Sequence, residues 1–138
     1  MPLIFVYGSL KEGFPNFHVN KGRRLQGDYK TAEAYPFYLL NGQLPCMLPT
    51  AGIGQQVIGQ VFEVTTSALA AMDALERVGQ PGGYARIDIA VVPADAMADA
   101  PLIHAFVYVQ DPGVLREPGP HLGPIAEYTH EHAKSLRW

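Results

Sequence analysis

The sequence predicts an α+β fold in which a strongly curved, barrel-like sheet is flanked by few helices. Three observations carry that prediction. Fourteen glycines and twelve prolines are scattered along 138 residues without forming a tract, which marks many tight turns between short strands. Two segments near the C-terminal half, 83–92 and 101–110, are rich in branched residues and read as strong strands. Only one segment, 65–78, has the alanine and leucine content of a substantial helix.

Taken in order, residues 3–7 (LIFVY) form an apolar, buried strand, and 14–22 a turn or one short helical piece. Short strands are expected at 25–33, 36–40 and 45–49, punctuated by Pro36, Asn41-Gly42 and Pro45. Residues 55–64 alternate as a strand, with Val57, Gly59 and Val61 on one side. The helix at 65–78 takes Thr66 or Ser67 as its cap and Gly79 as its stop. Residues 110–124 are loosely composed and read as a loop leading into a short C-terminal helix.

Chain length and a 48% hydrophobic content suit one domain spanning residues 1–138. A net charge of −3 without a basic stripe gives no footing for nucleic acid. No apolar run approaches the roughly 20 residues of a membrane span, and the N-terminus carries no secretory pattern. The single cysteine, Cys46, cannot form an internal disulfide, which suits a cytoplasmic setting. These properties give no reason to expect a nucleic-acid or membrane partner.

The first strand ends in Tyr7-Gly8-Ser9-Leu10, a turn whose backbone N–H groups lack ladder partners. Gly8 allows a ligand or another segment of chain to come close. Successive free N–H groups form a concavity for a carboxylate or a developing oxyanion. The Ser9 hydroxyl adds a donor and acceptor, and the Tyr7 ring a wall. This is not a phosphate loop, despite Lys11, because the glycine spacing and the Lys-Ser/Thr pair are missing. Nor is 52–59 a dinucleotide fingerprint, since it enters a strand.

The helix supplies a second group. Leu69, Met72 and Leu75 share an apolar arc completed by Ala68 and Ala71, while Ala70, Asp73 and Arg77 are expected toward solvent. Glu76 projects to within about 20° of Leu69, at the inner margin of that arc. Burial and the negative helix end both favour its protonated form, which raises its pKa toward that of a general acid/base. Gly82-Gly83 turn the chain into the next strand, placing Tyr84 near Glu76; Arg86 is expected to pair with Asp88 on the surface. His104, Phe106 and Tyr108 share a face of the last strand, from which Tyr108 reaches the same cavity.

The segments VYGSLKEGFPN (6–16), ALERVGQPGGYAR (74–86) and AFVYV (105–109) together resemble the gamma-glutamylcyclotransferase-like family. Residues 11–16 are most similar to its gamma-glutamylamine cyclotransferase branch, in which Thr stands at the position of Ser9. The resemblance implies a small mixed β-barrel with helices. It implies an enzyme of lyase or acyltransferase type that releases an amine or amino acid as a gamma-glutamyl group closes to 5-oxoproline. It implies that Tyr7, Gly8, Ser9 and Leu10 grip the glutamyl group, that Glu76 is the acid/base and that Tyr84 lines the pocket. The substrate's own α-amine is the nucleophile, so no metal or cofactor is expected.

Three other readings bear on the expectation. A non-enzymatic module that binds or senses a small gamma-glutamyl or amino-acid-like metabolite would use the same pocket. Cys46 has no histidine neighbour in sequence and reads as a buried or loop thiol. His130 and His132 are two residues apart and share no helical face, so they read as a solvated tail and not a metal site; His18 and His121 read as loop residues.

Overall fold

The computed structural model describes residues 1–97, 100–116 and 119–134. Its strands are β1 (Leu3–Val6), β2 (Arg23–Arg24), β3 (Tyr29–Thr31), β4 (Phe37–Leu40), β5 (Leu44–Met47), β6 (Ile58–Glu63), β7 (Ala85–Pro93) and β8 (Ile103–Val109). Helix α1 (Thr66–Leu75) follows β6, and a short α2 (His130–Lys134) lies near the C-terminus. Five strands close on themselves in the order β1-β8-β7-β3-β6, because β6 pairs back to β1. The barrel is mixed: β1 runs parallel to β8, and the other pairs are antiparallel. The hairpin β4–β5 stands apart as a second, two-stranded sheet.

Strand alternation explains why the first strand is apolar at every position. Phe5 and Tyr7 point into the barrel with Val61, Ile89, Val107 and Val109. Ile4 and Val6 point outward and are covered by Leu69 and Met72 of α1, together with Phe62 and Tyr108. Both faces of β1 are thus dry, and each such side chain contributes about 1.5–3 kcal/mol through burial. The helix is laid across β1, and its C-terminal end meets the turn in which β1 stops.

Several boundaries differ from expectation for local reasons. Of the predicted strand 25–33 only Tyr29–Thr31 is strand: Gly27, with φ +84°, turns the chain between β3 and β2, which lies before the predicted range. Thr65, not Thr66 or Ser67, caps α1 and accepts from the Ala68 N–H at 3.0 Å. The helix stops at Leu75, short of Gly79, with Glu76 as its C-cap. Arg77 takes the left-handed conformation (φ 57°), and the Val78 N–H reaches back to the Asp73 carbonyl at 3.0 Å. This is a glycine-type helix stop made by an arginine.

The C-terminal histidines pack against the domain, although His130 remains exposed. His130 stacks on Phe14 at 4.2 Å, His132 lies against fully buried Tyr128, and the His132 Nδ1 accepts from the Thr129 N–H at 3.0 Å. His18 belongs to a 3-10 turn at Phe17–Val19. Of the loop expected at 110–124, Pro112–Arg116 form a 3-10 helix, and Glu117 and Pro118 lie outside the described residues. Among the described residues no helix is long and apolar enough to cross a membrane.

Candidate active site

A cavity of about 170 Å³ opens where β1 ends. Tyr7, Gly8, Ser9 and Leu10 form one wall, and Leu75, Glu76, Tyr84 and Tyr108 face them. Leu44 and Pro45 of the β4–β5 hairpin close it from above. All seven residues singled out from the sequence therefore line one space, although they come from β1, α1, β8 and the connection into β7.

Local geometry accounts for each placement. The turn after β1 is held by bonds from the Lys11 N–H to the Gly8 carbonyl (3.1 Å) and from the Asn16 N–H to the Ser9 carbonyl (2.9 Å). None of these bonds uses the N–H groups of Gly8, Ser9 or Leu10 as donors. The amide of Asn16 donates to Ser9 Oγ at 3.0 Å, so the serine oxygen is already an acceptor and its own hydrogen is free to turn into the cavity. The group that comes close to Gly8 is Pro45: a β-carbon at Gly8 would sit 3.1 Å from its ring.

Glu76 is brought to the cavity by the helix stop. After Arg77 the chain doubles back, and a β-carbon at Gly83 would collide with the Arg77 carbonyl. Glycine there lets the Tyr84 N–H bond the Glu76 carbonyl at 2.9 Å, fixing the two residues side by side. Among the described residues the Glu76 carboxylate accepts no hydrogen bond and joins no ion pair. Burial alone raises its pKa from 4.5 to about 7.

The tyrosines are less free than the sequence suggests. Tyr7 donates to the Tyr108 carbonyl at 2.7 Å and accepts from the Met47 N–H at 3.2 Å. Tyr84 donates to the Pro45 carbonyl at 2.8 Å. Both hydroxyls thus pin β5 over the cavity, and burial, followed by neighbouring ionisable groups, holds both pKa values well above the usual phenol range. Tyr108 donates to Asp73 Oδ1 at 2.7 Å, and its pKa is raised by burial first and by that bond second. Cys46, on the same hairpin, is fully buried, which pushes its thiol up to about 12 and leaves it inert.

Several sequence-based placements are corrected by the structure. Asp73 does not face solvent: it lies four residues after Leu69 and shares its face, bonded to Tyr108 and, through Oδ2 at 3.0 Å, to Arg86. Arg86 therefore pairs with Asp73 and not with Asp88, whose partner is His104. Leu75 is 44% exposed at the cavity mouth, and Ala71 is exposed; neither belongs to a buried stripe. Asn16, Leu44 and Pro45 were not picked out from the sequence as site residues. The seven-residue spacing that lets Asn16 close the loop on Ser9 is a signal visible only once the turn is known. Among the described residues no group of three His, Cys, Asp or Glu side chains is arranged to hold a metal ion.

Residues 4–130 match the family model described as gamma-glutamyl cyclotransferase, AIG2-like. The chain belongs to that family. It is 32% identical over 128 residues to gamma-glutamylaminecyclotransferase B of Danio rerio, covering 86% of this chain and 65% of the zebrafish protein. A putative gamma-glutamylcyclotransferase of Methanocaldococcus jannaschii is 31% identical over 122 residues, covering 86% of this chain and 94% of the archaeal protein. The crystal structure of an AIG2-like protein from Mus musculus superposes with a TM-score of 0.76 at 29% identity, across 100% of this chain and 95% of that one. The mixed barrel with few helices is thus the family's fold, and the cavity beside β1 lies within the matched residues.

Proposed function

We propose that this protein is a gamma-glutamyl cyclotransferase that uses Glu76 as its general acid/base. The single observation that carries the proposal is an ionisable carboxylate that, among the described residues, has no partner, held in a cavity with a turn whose backbone N–H groups are unused among those residues. A structural glutamate at that depth would be paired; one left unpaired has its lone pairs available to a ligand.

The chemistry needs little else. The cavity holds the glutamyl chain bent, so that its α-nitrogen approaches its own γ-carbonyl and much of the entropic barrier is removed before reaction. Ionised Glu76 takes a proton from the α-ammonium. The freed amine forms the new N–C bond, with the N–H groups of residues 8–10 oriented as donors to an oxygen anion of the substrate. Glu76, now neutral, returns the proton to the departing nitrogen as the old C–N bond breaks; ionised again, it relays the ring nitrogen's second proton to the same amine, which leaves as an ammonium. The products are 5-oxoproline and a free amine; no water, metal or cofactor enters the balance. A pKa near 7 suits a group that must act in both states.

The cavity's remaining lining bears on the leaving group. Leu44 and Leu75, 45% and 44% exposed, form an apolar mouth, and Glu76 is the lone charged side chain among the lining residues. That supports gamma-glutamyl amines as substrates, in keeping with the residues 11–16 that resemble the amine-specific branch.

The test is 5-oxoproline formation by the purified full chain with gamma-glutamyl amino acids, gamma-glutamyl alkylamines and gamma-glutamyl-ε-lysine. Turnover is expected with at least one class, and Glu76→Gln is expected to lower kcat about 10²–10⁴-fold. Retained turnover in that variant removes Glu76 from the mechanism. Saturable binding without turnover across the panel would establish a binding module instead.

A further inference from the structure

Tyr108 is engaged by its proton. Its hydroxyl donates to Asp73 Oδ1 at 2.7 Å, while Asp73 Oδ2 is held by Arg86 at 3.0 Å. Arg86 is itself braced, with its guanidinium 4.6 Å over the Phe106 ring. Asp73 and Glu76 stand three residues apart on α1, so they are neighbours on one helix surface. Tyr108 lines the same cavity as Glu76, and its hydroxyl is bonded to the residue one helical turn before Glu76. A phenol oxygen that has given its hydrogen elsewhere offers only lone pairs. This side of the cavity therefore carries two acceptors, whereas the turn at Gly8–Leu10 carries donors.

We propose that Tyr108 binds the α-ammonium of the ligand as a hydrogen-bond acceptor, and that Asp73, held by Arg86, is the positioning residue that fixes this polarity. The proposal rests on reading the cavity as a gamma-glutamyl site. It adds a second contact to the ammonium beside Glu76. With one N–H directed at Tyr108 and another at Glu76, the nitrogen that remains after proton transfer presents its lone pair along a fixed direction.

The test compares two probes that differ only in the amine. These are L-gamma-glutamyl-n-butylamine and its des-amino counterpart, the N-butyl monoamide of glutaric acid. Dissociation constants are measured by calorimetry on full-length Glu76→Gln protein, which is expected to hold the first probe uncyclised. The amine is expected to improve binding about tenfold or more. With Tyr108→Phe added, that ratio should fall to about twofold or less, and affinity for the des-amino probe should stay within about twofold. With Asp73→Asn added instead, the ratio should fall to an intermediate value; a merely structural role for Asp73 would weaken both probes alike.

A ratio that survives Tyr108→Phe, or an equal loss for both probes, overturns the inference. Turnover by the unaltered protein is scored separately. Formation of 5-oxoproline together with a surviving ratio sinks only the role of Tyr108. A Tyr108-dependent ratio without 5-oxoproline sinks only the cyclotransferase chemistry, and absence of binding by either probe sinks both.

Discussion

Two charges withdrawn from bulk water line the two cavities beside the loop that follows β1, Lys11 buried and Glu76 half-buried, and they are treated differently. Glu76 lines the first cavity and has no partner among the described residues. Lys11 lines a second cavity of about 220 Å³ and is only 3% exposed, yet its Nζ donates to the Tyr128 carbonyl at 2.6 Å and rests 4.3 Å over the Phe14 ring. Two carboxylates on that cavity's rim, Glu12 and Asp28, are already occupied by Arg24. Burial shifts both groups: Glu76 up, and Lys11 down against the opposing pull of the Glu127 and Asp28 carboxylates. The difference is compensation. A desolvated charge with partners is architecture; one without them stores free energy that a ligand can release.

The largest effect that would sharpen this contrast is on activity against pH. In the proposed mechanism ionised Glu76 begins the reaction, so kcat/KM should fall about a hundredfold between pH 8 and pH 5, with an apparent pKa near 7. Lys11→Met should leave that profile in place. An acid limb that moved with Lys11 would break the distinction.

Next comes stability. A carboxylate whose folded pKa is raised binds its proton more tightly in the native state, so it weakens the fold as pH climbs from 4.5 to about 7. Glu76→Gln should therefore stabilise the protein at pH 8 by about 1–3 kcal/mol, and the gain should vanish near pH 4.5. Urea unfolding at the two pH values measures it. A destabilised Glu76→Gln at pH 8 would show that the carboxylate has a stabilising partner after all.

For Lys11 the same experiment should give little. Lys11→Met removes a desolvated charge but leaves the Tyr128 carbonyl without its donor, and the net change is expected within about 1 kcal/mol of zero. The smallest effect concerns the neighbouring ring. The Tyr128 hydroxyl is buried without a hydrogen-bond partner among the described residues, so Tyr128→Phe should be neutral or stabilising by about 1 kcal/mol, read as a rise in Tm.

Much of the site was legible because its signals are local. The Tyr7-Gly8-Ser9 stop, the placement of Glu76 at the inner edge of α1 and the glycine pair before Tyr84 each depend on residues within about one turn of one another. Asp73 was misplaced although the same periodicity, applied strictly, puts it beside Leu69. Its polarity suggested solvent, and only the barrel supplied the tyrosine and the arginine that make an inward aspartate tolerable. Arg86 was misassigned for a related reason. Strand neighbours two apart look like natural partners in sequence, but β7 and β8 carry Arg86 past Phe106 to the helix.

The sequence by itself determined the α+β class, the order of the principal strands, the single long helix and the two motifs that meet at the cavity. These follow from residue periodicity and turn chemistry, which act over a few residues. Closure of β6 onto β1, the β4–β5 roof pinned by Tyr7 and Tyr84, and the Glu76 carboxylate left without a partner among the described residues were decided only by the tertiary structure. Which polar groups find partners across the barrel depends on where distant strands are brought together, and no local pattern encodes that.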